Sequence, residues 1–213
     1  MDELELLKKD WKKQDGNYPK LSYDQIYKML WKKSSSIVKW IFVISIIEFL
    51  FWTTITIFFA DNEYWNEMER LHLKEFMIGS YILGYAITFF FIYSFYKNYL
   101  KITATDNVSS LMKNIIKTRK TVRYYIGYII ISTGITSLVM TYFIFYYHSM
   151  NTTVEDVTAY SFTTSQWVIF LALMLIFIIL FLGLVWLFYR LLYGILLKRL
   201  HHNYKDLQKL EME

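Results

Sequence analysis

The chain has no cysteine, a single proline and seven glycines, and only 19% of its 213 residues are charged. Each shortage excludes something. Without cysteine there is no disulfide framework, no thiolate nucleophile and no thiolate-held metal. So little glycine and proline excludes collagen-like repeats and low-complexity linkers, and the charge content lies below the roughly 25% usual in soluble domains. Apolar residues fill the chain instead, at 55% hydrophobic and 20% aromatic, which excludes intrinsic disorder.

The apolar excess is gathered into four blocks, 37–60, 76–96, 124–147 and 166 to about 197, the last with its spanning part at 166–190. A helix needs about 20 mostly apolar residues to cross a hydrocarbon layer about 30 Å thick, and every block reaches that length. They are too long for strands despite β-branched stretches such as 129–131. The first block follows 36 residues, exceeds the core of a secretory signal and lacks a small-x-small cleavage pattern, so it is read as a retained span. The expected fold is all-α, with four transmembrane helices.

Lysine and arginine set the expected orientation. Residues 1–39 carry nine, the 97–123 connection seven and residues 190–213 five, against two (Arg70 and Lys74) in the first remaining connection and none in the second. By the positive-inside rule this places both termini and the middle connection in the cytoplasm. The first outer loop is acidic, with Asp61, Glu63, Glu67, Glu69 and Glu75. Aromatic residues cluster near both boundaries, Tyr64, Trp65, Tyr142, Tyr146, Tyr147 and Tyr160 on one side and Trp31, Trp40, Tyr96, Tyr99, Tyr124 and Tyr125 on the other, as interfacial belts do. The net charge of +5 is thus a sidedness, and anionic lipid accounts for the basic patches better than nucleic acid.

Three segments are read as amphipathic cytoplasmic helices. The arm, 1–36, divides into two short helices at residues 15–19. Leu4, Leu7 and Trp11 repeat at helical spacing in the first. Ser22 and Gln25 match a capping box that opens the second, with Leu21 and Ile26 as its staple; this helix is expected to lie along the inner leaflet before turning into the first span. In the 97–123 connection Val108, Leu111, Met112, Ile115 and Ile116 form an apolar stripe. Beyond the spanning domain, 37–197, the segment 198–213 continues one through Leu200, Tyr204, Leu207 and Leu210. Such faces pack on one another and on headgroups, or recruit a cytoplasmic protein.

Glu48 is the most informative residue. An ionisable group near the middle of a span is costly and is expected to face protein or water. Ser45, Trp52 and Thr56 share its side of the helix. It is either a proton or cation site, or an interhelical hydrogen-bonding group meeting Thr, Ser or Tyr on another span. Thr133, Ser137 and Thr141 recur at every fourth position with Gly127 and Gly134 beside them, and Ser80, Gly84 and Thr88 do the same on the second span. These stripes are read as helix-packing seams and as the partners expected for Glu48. No phosphate-binding glycine motif or nucleophile elbow occurs. The four histidines do not group within a span, so no metal ligand set and no cofactor is expected.

The stretches 2–14 (DELELLKKDWKKQ), 21–29 (LSYDQIYKM) and 32–40 (KKSSSIVKW) resemble those of a family of small bacterial inner-membrane proteins labelled beta-carotene monooxygenase. The resemblance covers the first quarter of the chain and implies a multi-pass inner-membrane protein. Its label implies carotenoid oxygenation, a reaction for which such enzymes hold iron with several histidines, and no catalytic residue carries over. The residues themselves favour a non-enzymatic scaffold or regulator that binds a cytoplasmic or membrane partner, with Leu4, Leu7 and Trp11 as anchors. The alternative is a small transporter or channel subunit using Glu48, which at four spans requires a homo-oligomer.

Overall fold

A computed structural model describes residues 22–105, 107–151 and 163–212, the side chains of 148–151 and 164 excepted. Among them are five helices and no strand: α1 (Tyr23–Phe59), α2 (Asn62–Arg70), α3 (Lys74–Thr103), α4 (Val108–Asn151) and α5 (Thr164–Met212). All but α2 are long and apolar enough to cross a membrane. The four long helices run up and down as a ring, α1 against α3, α3 against α4, α4 against α5 and α5 back against α1.

Local signals start and stop these helices. Ser22 and Gln25 form the capping box, the Gln25 amide donating to Ser22 Oγ at 3.3 Å and the Ser22 amide to Gln25 Oε1 at 3.0 Å. Asp61 caps α2 by accepting from the Tyr64 amide at 2.8 Å. The far end of α2 closes in a Schellman arrangement. There the Leu73 amide donates to the Met68 carbonyl at 2.8 Å and the His72 amide to the Glu69 carbonyl at 3.0 Å. His72 takes the left-handed conformation (φ 53°) that this turn requires and glycine usually supplies.

The arm does not turn where it enters the first span. α1 runs unbroken from Tyr23 to Phe59, because the face expected to lie on lipid packs into the ring instead. Leu30, Ile37, Val38 and Ile41 of α1 meet Phe95 and Ile102 of α3, Leu111, Ile115 and Val122 of α4, and Leu200 and Leu207 of α5 in one core. The stripes of the 97–123 and 198–213 segments are thereby used inside the bundle. This core occupies the end of the bundle rich in lysine and arginine, here the basic end.

Polar groups lock the same end. Carbonyls at and just beyond the end of α3 accept from α1: Trp31 Nε1 donates to the Ile102 carbonyl at 2.9 Å and Tyr27 Oη to the Thr105 carbonyl at 3.2 Å. Asn98 Nδ2 donates to Thr121 Oγ1 across α3 and α4 at 3.2 Å, and buried Asn203 Nδ2 to Ser34 Oγ across α5 and α1 at 3.1 Å. Arg119 Nη1 lies 2.9 Å from His201 Nδ1, and that guanidinium holds the imidazole below its ordinary range. At the opposite end a smaller cluster of Met68, Leu71, Leu73 and Met77 packs α2 against Val139, Met140 and Phe143 of α4. Between the clusters the helices present mostly exposed apolar side chains, such as Phe58 at 79% and Ile82 at 66%.

Stability therefore belongs to the basic end. Leu111→Ala should cost about 2–5 kcal/mol, as buried leucine truncations do, and Phe58→Ala within about 0.5 kcal/mol. Thermal unfolding in detergent micelles checks this, and equal losses would overturn the placement of the core.

Candidate functional site

Glu48 is 4% exposed and ties α1 to two other helices. Tyr125 Oη of α4 donates to its Oε1 at 2.9 Å. From α5, Tyr193 Oη donates to Oε2 at 2.8 Å, and Tyr189 Oη donates to Oε1. An ionised carboxyl only accepts, at about four lone-pair positions, and three of them are taken. The tyrosines hold one another as well: Tyr189 and Tyr193 stack one helical turn apart, and Tyr125 meets both edge-on at 6.1 Å. Phe95 of α3 closes the cluster with its ring 5.6 Å from that of Tyr125.

Tyrosine on another helix is one of the partner types expected, but the small-residue stripes are not used. Thr133, Ser137, Ser80 and Thr88 do not bond the carboxyl, and Tyr125, read as part of an interfacial belt, turns inward. Nor does Glu48 sit at the centre of the bundle's apolar length. It is level with Tyr125, the second residue of the third apolar block, and with Tyr189 at the basic end of the fourth. The cause is the start of α1: Ile37, Val38 and Ile41 are apolar because they belong to the protein core, with Lys39 and Trp40 exposed between them, so the apolar run begins before the helices part. Only eleven residues follow Glu48 in α1, about 16 Å of helix against about 30 Å of hydrocarbon. The α2 cluster packs beside the longer helices beyond that point.

On the far side of Glu48 from the core, the four long helices part around a cavity of about 350 Å³, within the range of small-molecule sites. From α1 it is lined by Glu48, Phe49, Trp52, Thr53 and Thr56, and from α3 by Ser80, Tyr81, Gly84, Tyr85 and Thr88. α4 adds Tyr125, Tyr128, Ile129, Ser132 and Thr133, and α5 adds Phe181, Val185 and Tyr189. The wall is aromatic and rich in hydroxyls. It contains no basic residue.

The small-residue stripes thus meet a different fate from the packing seams expected of them. Ser80, Gly84 and Thr88 line the cavity, and a Cβ built on Gly84 would meet nothing within 4 Å. Gly127 is equally uncrowded, whereas Gly134 faces Leu182 of α5, with room for a Cβ at 3.5 Å. Of the polar group expected around Glu48, the cavity collects Thr56 and Thr133. Ser45 is buried one turn nearer the core, donating to the Phe42 carbonyl at 2.7 Å, and Ser137 is not among the lining residues. Leu4, Leu7 and Trp11 lie outside the described residues.

Sequence reasoning missed Tyr189 and Tyr193, although their i, i+4 spacing beside the basic end of an apolar run marks one shared face. Three of the four histidines have described side chains, and each of these three makes a different contact; the side chain of His148 lies outside the described residues. His72 stacks on Tyr147, His201 meets Arg119, and His202 lies 3.6 Å from Asp206. No three His, Asp or Glu side chains gather among the described residues.

The described fold defines a class, all-helical proteins with four helices able to cross a membrane. Within that class a family model, a domain of unknown function (DUF8845), matches residues 24–212, and the chain belongs to that family. No curated protein and no solved structure matches it.

The tyrosine–carboxyl cluster predicts graded losses. Tyr193→Phe should cost about 1.5–3 kcal/mol, as for a hydrogen bond to a charged group. Glu48→Gln keeps an acceptor for the hydroxyls, whereas Glu48→Leu leaves three buried donors unmet, so leucine should be the more damaging change. Equal melting temperatures for the two Glu48 variants in detergent would refute this account.

Proposed function

We propose that this chain is a non-enzymatic, multi-pass membrane protein that binds a small ligand in the cavity between its four long helices. The single observation that carries the reading is the cavity itself. It is lined by all four long helices, walled by aromatic rings and hydroxyls, and bordered by a held carboxyl. That combination of an apolar body with a few convergent polar groups is the usual form of a ligand site. The tight core on the basic side of Glu48 supports a binding site in preference to a through-going channel.

In this reading the protein sits in a bacterial inner membrane with both termini in the cytoplasm, which the distribution of lysine and arginine supports. The scaffold or regulator role narrows. Most of the apolar stripes of α1, α4 and α5 are occupied by one another, with Met29 and Ile116 left exposed, so recruitment of a cytoplasmic partner rests chiefly on Leu4, Leu7 and Trp11 in the arm. A transporter built as a homo-oligomer would use the same cavity as its binding site.

The absence of cysteine makes the cavity directly testable, because an introduced thiol is the only one present. Thr88→Cys and Thr56→Cys should react with methyl methanethiosulfonate much faster than Ile115→Cys, which is fully buried in the core. Adding Gly84→Trp, which fills the space, should slow the reaction at Thr88→Cys. Equal protection at all three positions would end the proposal.

A further inference from the structure

We infer that the ligand is an organic cation, a quaternary or protonated amine carried on an aromatic or apolar body; this rests on the ligand-binding reading above. Three features of the wall point the same way. The first is an uncompensated acid. Glu48 has three hydroxyl donors but no ion-pair partner among the described residues, and ionisable groups inside membranes are almost always paired. One of its roughly four acceptor positions is unused, on a residue that borders the cavity.

The second feature is the direction of the hydroxyls. Thr56 Oγ1 donates to the Trp52 carbonyl at 3.0 Å, Thr88 Oγ1 to the Gly84 carbonyl at 2.8 Å and Ser132 Oγ to the Ile129 carbonyl at 3.1 Å. Each spends its proton on its own helix and keeps only lone pairs for the cavity. At these three groups the cavity meets acceptors, which, with the Glu48 carboxyl, an anion would meet unfavourably. The third is the ring set. Trp52, Phe49 and Tyr85 border the same space, and aromatic faces attract cations within about 6 Å of the ring centre.

A matched set of probes isolates charge from shape. Benzyltrimethylammonium is permanently cationic, neopentylbenzene is its neutral carbon isostere, and phenylmethanesulfonate carries the opposite charge. Binding of each to the full chain in nanodiscs is measured by equilibrium dialysis up to millimolar concentration. The cation should bind about tenfold or more tightly than the isostere, a difference of about 1.4 kcal/mol, and the sulfonate should not bind. Glu48→Gln should erase the cation's advantage while leaving the isostere's affinity unchanged, which also shows that the variant is folded. Trp52→Leu, outside the tyrosine cluster, should weaken the cation alone. If cation and isostere bind equally and Gly84→Trp expels both, the cavity is a ligand site and the cation inference is wrong. If none of the three binds saturably, both readings fail.

Discussion

The structure turns on one buried carboxyl. Removing Glu48 from water inside an apolar bundle is costly unless its oxygens are met, and three tyrosine hydroxyls from α4 and α5 meet them. Because those tyrosines come from different helices, satisfying the acid fixes α1 relative to both. Phe95 brings in α3 through its contact with Tyr125. The cluster therefore sits where all four long helices are held in register, and it closes the outer side of the apolar core.

That position divides the molecule into two unlike ends. On the basic side the helices interlock as in a water-soluble bundle, with leucine, isoleucine and valine inside and polar cross-links such as Asn203 to Ser34 between them. On the other side they part, and their shared inner surface is lined with aromatic rings and hydroxyls around empty volume. Where the helices part they share few buried apolar side chains, so bundle packing at one end and the polar clamp at Glu48 are what hold them in place. A cavity can persist on the far side because its walls are anchored below it and, through α2, above it.

Much of this was legible locally. Four helices long and apolar enough to cross a membrane follow from run length and hydropathy, and the start of α1 follows from Ser22 and Gln25, because a capping box is made within one turn. The stripe at 108–116 falls on the first turns of α4, where Val108, Leu111 and Ile115 cover other helices and Ile116 stays exposed. The errors share a cause. Ile37, Val38 and Ile41 read as membrane because apolar character does not distinguish lipid from protein core, and this displaced Glu48 towards mid-span. Gly84 between Ser80 and Thr88 read as a seam because small residues are found both where helices touch and where they stand apart around a space. Tyr125 read as a belt residue because a tyrosine near a boundary is suited equally to an interface and to a buried acceptor.

The sequence by itself determined the helical class, the number of helices able to cross a membrane and the presence of one acid that needed company, since these depend on the composition and periodicity of single segments. The partners of that acid, the continuity of α1 and the existence of the cavity were decided only in the tertiary structure. Tyr125 and Tyr189 stand 77 and 141 residues from Glu48, and no local pattern records which faces of separate helices will meet. Helix packing makes that choice, and with it decides whether a stripe of small residues becomes a contact or a wall.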